Sequence, residues 1–287
     1  MNCQLSTALA GHLYISDLDG TLLLPDKTLG ARTRAVLERF IASGGLFTVA
    51  TGRSAASTAR ILAPLALPVD AITHNGALTV NLQTGSIAQV VPMPASSARH
   101  VFERAVQRDL APLAYGLDGA GHTLLVHGGE PNAATAGYLA ALRPLHPCIA
   151  DDGSTLDRLR GLTLLLLDEP QRIAALFAET CGGDTGLVAY LGRSAYTAGL
   201  GVGEVQAAAA SKAHAARELA RRAGLDASAI VAFGDNANDL PLLLLAGQAY
   251  CPPEAVAEVR ERIPGRIGGP REEGVASYLE AQLLGGG

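Results

Sequence analysis

Leu13-Tyr14-Ile15-Ser16-Asp17-Leu18-Asp19-Gly20-Thr21 is an apolar run that stops abruptly at two carboxylates spaced two residues apart. On an extended strand, side chains at i and i+2 share a face, so Asp17 and Asp19 can look into one site, and Gly20 lets the chain turn away. In an open α/β sheet, ligands bind at the carboxyl ends of the strands. One carboxylate there could attack an electrophile while the other moves a proton. A solvated Asp-Gly turn is the competing reading of this segment alone, and the rest of the chain must decide.

Other apolar runs deliver polar residues in the same way. Leu46-Phe47-Thr48-Val49-Ala50 ends at Thr51-Gly52-Arg53, Val69 to Ile72 ends near His74-Asn75-Gly76, and Ala229 to Phe233 ends at Gly234-Asp235. Helical patterns fill the intervals. Arg32 to Ala42 carries Val36, Leu37, Phe40 and Ile41 at helical spacing before Gly44-Gly45, and a second helix is expected from Ser211 to Ala223, before Gly224. Short strands alternating with helices predict βαβ units and a largely parallel sheet. The fold class is therefore α/β, with a Rossmann-like parallel-sheet core.

From about Thr84 to Leu187, strand and helix candidates recur without a comparable acidic strand end. This stretch reads as a smaller α/β cap domain inserted into the core. The expected division is a discontinuous core of residues 1–83 and 187–287 around a cap of residues 84–186, beginning in the turn-rich Asn81 to Ser86 and leaving near Asp184-Thr185-Gly186.

The chain has 287 residues, 48% hydrophobic and 17% charged, which fits a compact fold with a sizeable core. A net charge of −5 and the absence of tryptophan weigh against nucleic acid as a partner. Cys3, Cys148, Cys181 and Cys251 show no metal-ligand or redox spacing and are expected to be free thiols. With no sustained apolar stretch near Met1 and no run long enough to span a membrane, the expected location is the cytoplasm, with no membrane partner. Oligomeric state is not legible in the sequence.

Gly234-Asp235-Asn236-Ala237-Asn238-Asp239 places further acids at a strand end, and with Asp17 at least three carboxylates gather at one sheet edge. Two like charges about 4 Å apart cost roughly 4 kcal/mol at an effective dielectric near 20, so the cluster calls for a cation. Mg²⁺ is the expected ion, because it takes oxygen ligands and is held by a few carboxylates plus a substrate phosphate. Asn and Asp merely capping the helix that begins near Leu240-Pro241 is the alternative. Lys212 at a helix start opposes the helix dipole unless an anion binds there. Thr51-Gly52-Arg53-Ser54 offers a hydroxyl, a glycine and helix-N-terminal amides suited to a phosphate.

Taken together, these segments resemble the haloacid dehalogenase superfamily, specifically its Cof-type phosphatases. Ser16 to Leu22 resembles the first motif, Ala50-Thr51-Gly52-Arg53 the second, Ser211-Lys212 the third and Gly234 to Asp239 the fourth, while Asn75-Gly76-Ala77 resembles a further segment of that branch. The resemblance implies that Asp17 is the nucleophile forming an aspartyl-phosphate and that Asp19 is the acid and base. It implies phosphate binding by Thr51, Gly52, Lys212 and Asn238, with Arg53 and Asn75 as substrate-binding candidates. It also implies Mg²⁺ on Asp17, the backbone carbonyl of Asp19, Asp235 and, through water, Asp239. Two departures stand out: Ala213 follows the third-motif lysine where the family often has glycine, and Tyr250 to Ala255 replaces a segment that commonly carries an asparagine.

The implied activity is Mg²⁺-dependent hydrolysis of a small phosphorylated metabolite: a sugar phosphate, nucleotide or phosphorylated cofactor. A phosphosugar mutase and a non-catalytic phosphometabolite-binding regulator are the alternatives. Retention of Asp19 argues against the regulator, since a passive binder has no use for a proton-transfer group beside the nucleophile. Cap residues that could contact the leaving group are Tyr115, Asp118, His122, His127, Glu130, Arg193 and Tyr196.

Overall fold

The computed structural model describes residues 11–63, 65–151, 153–183, 185–193 and 199–285. The strands in chain order are β1 (Leu13–Ser16), β2 (Leu46–Val49), β3 (Ala71–Thr73), β4 (Leu78–Val80), β5 (Ile87–Val90), β6 (Leu113–Leu117), β7 (Thr123–His127), β8 (Cys148–Ala150), β9 (Arg160–Asp168), β10 (Leu187–Arg193), β11 (Gly201–Ala207), β12 (Ile230–Phe233), β13 (Gln248–Cys251) and β14 (Gly265–Arg266). The chain divides into two compact units, one comprising residues 1–89 with 211–287 and the other residues 90–210.

In the first unit, a parallel sheet runs β14-β13-β12-β1-β2. A bridge from Ala50 to Ile72 brings β3 alongside, and β3, β4 and β5 form a further small sheet. The order reverses at β1, whose neighbours are β2 on one side and β12 on the other. Such a switch point opens a crevice at the carboxyl ends of the strands.

Side-chain alternation sorts the strand residues onto two cores. Tyr14, Phe47, Val49, Val231 and Phe233 pack with Val36, Leu37 and Phe40 of helix Ala31–Ala42 and with Val275, Ala276 and Leu279 of the C-terminal helix. Leu13, Ile15, Ile230 and Ala232 pack on the other side with Ala215, Ala216, Leu219 and Ala220 of helix Lys212–Arg222. Burial on both faces explains why these strands read as unbroken apolar runs. By the same parity, Asp17 continues the Leu13, Ile15 side, the side that helix Lys212–Arg222 covers.

The second unit is a six-stranded sheet ordered β10-β11-β9-β6-β7-β8, antiparallel except for β7 with β8. Helices Ala95–Gln107 and Pro170–Thr180 pack together against it. Its extent differs from the expected residues 84–186. Strands β10 and β11 pair with one another along Leu187 to Ala207, and β11 pairs in turn with β9, so the chain returns to the first unit only at Ser211. Cys148, Cys181 and Cys251 are free, and Cys3 lies outside the described residues. No helix among the described residues is long and apolar enough to cross a membrane.

Candidate active site

Asp17 leaves the end of β1 with its amide bonded to the Phe233 carbonyl at 2.9 Å, which ties it to the end of β12. The chain then makes one wide turn, closed by Leu23 N–H on the Leu18 carbonyl at 2.9 Å. Gly20 sits inside this turn at φ +87°, and a Cβ there would lie 2.4 Å from Asp235 Oδ2. Glycine is required twice, for the left-handed backbone and for the approach of the Asp235 carboxylate. Thr21 Oγ1 donates to Asp235 Oδ1 at 2.8 Å, so the turn after β1 orients the acid after β12.

Lys212 is the first residue of its helix, whose N-cap Ser211 accepts from the His214 amide at 3.0 Å. Its side chain is fully buried, and Nζ donates to Asp17 Oδ1 and Asp239 Oδ1, each at 2.6 Å. Asp239 uses its other oxygen, Oδ2, to accept from the amides of Asp235 at 3.1 Å and Asn236 at 3.0 Å. One carboxylate therefore closes the loop after β12 and holds the lysine. The helix start is seated against the loop after β3: at Gly76, φ +100°, a Cβ would meet the Ser211 carbonyl oxygen at 2.3 Å.

Among the described residues, Asp17, Asp235 and Asp239 offer oxygens all within 4.8 Å of one another. Burial first, then Asp239, Asp235 and Asp19, push the Asp17 carboxyl well above the usual carboxylate range against the pull of Lys212. Burial and Asp239 push Asp235 up to about 6. Burial opposes the charge on Lys212, but Asp17 and Asp239 more than offset it and hold the ammonium protonated. A single buried cation facing three carboxylates leaves negative charge in surplus.

Asp19 points elsewhere. Arg53 grips it with both arms of its guanidinium, Nε to Oδ2 at 2.6 Å and an Nη to Oδ1 at 2.7 Å, and Lys27 Nζ adds a third contact to Oδ1 at 3.2 Å. Burial pushes the Asp19 carboxyl up, yet the bonds and charge of Arg53 and Lys27 outweigh it and leave the group below its ordinary range. Arg53 is itself aimed by its amide on Thr51 Oγ1 at 3.1 Å, at the head of helix Ala55–Ile61. The expected acid and the expected substrate-binding arginine are thus partners of each other.

Asn238 Nδ2 donates to Asn75 Oδ1 at 2.9 Å, while Lys212 donates to Asp17 and Asp239 and not to Asn238. Asn75 is buried in a left-handed backbone at φ +53°, its amide on the Thr51 carbonyl at 2.9 Å. Thr51 and Gly52 follow β2 beside it, with Thr51 buried. Two residues of the site were not singled out in the sequence. Thr21 carried no signal beyond its place after Gly20. Lys27 had only the turn-forming Pro25-Asp26 before it. Of the cap candidates, Tyr115 is buried in β6. Asp118 holds the β6–β7 turn through the amides of Ala120 and His122, each at 2.8 Å. Tyr196 lies outside the described residues.

A family model described as haloacid dehalogenase-like hydrolase matches residues 14–279. The HMP-PP phosphatase of Escherichia coli K12 is 26% identical over 284 residues, covering 93% of this chain and 94% of the relative. The HMP-PP phosphatase of Serratia proteamaculans is 27% identical over 278 residues, covering 95% of each. Among solved structures, a haloacid dehalogenase-like hydrolase from Bacteroides thetaiotaomicron superposes with a TM-score of 0.79 at 22% identity, covering 94% of this chain and 99% of that one. A Thermotoga maritima protein gives a TM-score of 0.74 at 22% identity, over 94% and 97%.

Proposed function

Because the chain belongs to the haloacid dehalogenase-like hydrolases, we propose that it is a Mg²⁺-dependent phosphatase of small phosphorylated metabolites, working through an aspartyl-phosphate on Asp17. The observation that carries this reading is Asp17 itself: a buried carboxylate at the sheet's switch point, oriented through one oxygen by Lys212 and flanked by Asp235 and Asp239.

The donor set fits a hard divalent ion. Asp17, Asp235 and Asp239 offer oxygens all within 4.8 Å of one another, the anionic all-oxygen set that Mg²⁺ takes. Asp17, Asp235 and the Asp19 carbonyl would hold the ion, with Asp239 acting through water. When bound, Mg²⁺ supplies positive charge that offsets the surplus carboxylates and the charge on the transferring oxygens.

The residues then divide the work. An oxygen of Asp17 attacks phosphorus as the bond to the leaving oxygen breaks, and Asp19, protonated once it has left Arg53 and Lys27, gives that oxygen its proton. Asp19, now a carboxylate, takes a proton from the water that attacks phosphorus next, releasing phosphate and restoring Asp17. Lys212, the Thr51 hydroxyl and the amides around Gly52 are the chain's own donors to the phosphoryl oxygens, with Asn238 and Asn75 fixing the adjoining loops. The curated relatives are phosphatases of HMP-PP, which supports a small phosphorylated metabolite as the substrate class.

The test is phosphate release from a panel of small phosphate esters, with Mg²⁺ or excess chelator and the Asp17→Asn protein as control. Release that requires both the metal and Asp17 supports the reading. Equal release by Asp17→Asn contradicts it. Transfer of the phosphoryl group to a second hydroxyl, without net release, would favour the mutase.

A further inference from the structure

Lys27 belongs to none of the motifs, yet it completes a cationic pair at the rim of the site. Its backbone stands at φ +68° in the turn where Leu24 N–H meets the Thr28 carbonyl at 2.9 Å and Lys27 N–H meets the Leu24 carbonyl at 2.8 Å. That left-handed conformation costs a residue with a Cβ about 1 kcal/mol or more, and here it directs a long cationic side chain back onto Asp19. Arg53 approaches the same carboxylate with its guanidinium fork, the geometry suited to carboxylate and phosphate alike.

Two cations share one carboxylate, and both Asp19 oxygens are taken: Oδ2 by Arg53, and Oδ1 by Arg53 and Lys27. These bonds aim the carboxylate at Lys27 and Arg53, so swinging it toward a leaving oxygen draws it off them. When it turns away, an arginine side chain only 17% exposed and a lysine side chain 27% exposed border the position it vacates. An anion from the substrate would satisfy both.

We propose that Lys27 and Arg53 form a subsite for a second anionic group, phosphoryl or carboxyl, adjacent to the phosphoryl group transferred to Asp17, and that Asp19 occupies this subsite until substrate displaces it. The proposal rests on the phosphatase reading and narrows it to diphosphates and closely spaced phospho-acids. With a diphosphate, the bond between the terminal phosphorus and the bridging oxygen breaks, the electron pair stays on that oxygen, and Lys27 and Arg53 neutralise the departing phosphate. Lys27 is then a specificity-determining residue, in contact with the leaving group.

Two measurements in excess Mg²⁺ test this. In the first, calorimetry compares binding of methylphosphonate, methylenediphosphonate and phosphonoacetate. The native protein should bind at least one of the two probes that carry two anionic groups at least tenfold more tightly than methylphosphonate, and the tighter of the two identifies the second anion. Lys27→Met should reduce that preference about tenfold, and Lys27→Arg should restore most of it. In the second, kcat/KM is compared for thymidine 5′-diphosphate and 5′-monophosphate, where Lys27→Met should cost the diphosphate about ten times more than the monophosphate, mainly through KM.

No preference for either probe in the native protein, or a preference that survives Lys27→Met, overturns the proposal. If the probes discriminate as stated but neither these nucleotides nor any ester of the panel is hydrolysed, the subsite stands and the phosphatase reading falls. Hydrolysis without discrimination does the reverse.

Discussion

Replacing Lys212 by methionine removes an ammonium that is fully buried and bonded to two carboxylates at 2.6 Å each. Methionine keeps much of the side-chain volume, so the packing penalty is small, and the loss is mainly electrostatic. Removing one partner of a buried pair costs about 3–5 kcal/mol, because the remaining charge stays buried without compensation. Here Asp17, Asp235 and Asp239 would all remain. With a urea slope of about 3 kcal/mol/M for a chain of this size, the unfolding midpoint at pH 7 in chelator should fall by about 1 M or more. Saturating Mg²⁺ should recover part of it, since a cation in hundredfold excess over its Kd adds about 2.7 kcal/mol. Turnover should fall by about 10²–10³ even where the protein is folded, the usual cost of losing one donor to a developing anion. A midpoint shift corresponding to under about 1 kcal/mol, or a shift unaffected by Mg²⁺, would refute the view that Lys212 balances the carboxylate cluster.

The remaining predictions concern neighbouring parts of the same architecture. Gly20→Ala should lose about 1–2 kcal/mol from its left-handed backbone alone, and the clash with Asp235 should weaken Mg²⁺ binding in a calorimetric titration. Asp235, pushed up to about 6, binds its proton more tightly folded than unfolded, so its contribution to metal-free stability is present below about pH 4 and is lost as pH rises through 6. The stability difference between native protein and Asp235→Asn should therefore drift against the native protein over that window in chelator, and the drift should shrink in Mg²⁺. Helix Ala31–Ala42 has no side-chain cap of its own, and Glu273 supplies one from far along the chain by accepting from Thr33 N–H at 2.9 Å and Thr33 Oγ1 at 2.8 Å. Glu273→Ala should lower stability by about 1–2 kcal/mol in thermal unfolding without changing kcat.

The parts of the site legible in the sequence were those set by strand parity and local spacing. Asp17 lies two residues after Ile15 on a buried strand, and that spacing already places it on the side where Lys212 begins its helix. Asp235 and Asp239 fall on one tight loop after an apolar strand, so their proximity is local. Lys27 was not legible, because its role depends on a left-handed turn that nothing in Pro25-Asp26-Lys27-Thr28 demands. The pairing of Arg53 with Asp19 was missed for a related reason: each residue had a plausible separate task, and only the geometry shows them meeting. In the second unit, Leu187 to Arg193 is apolar enough to read as a core strand. What removes it from the core is antiparallel pairing with the next strand, Gly201 to Ala207, which pairs in turn with β9, a choice that composition does not encode.

The central claim is a covalent phosphoryl group on Asp17. It is tested most directly by mixing the Asp19→Asn protein in Mg²⁺ with an aryl phosphate that the native enzyme hydrolyses and whose leaving oxygen needs no proton, quenching in acid and mapping the peptide that contains Asp17 by mass spectrometry. Asp19→Asn cannot take the proton from the attacking water, so the intermediate should accumulate with one phosphoryl group added at Asp17, and Asp17→Asn should show none. A native enzyme that releases phosphate while Asp17 stays unmodified under every quench time, or a phosphoryl group found on another side chain, would contradict the account.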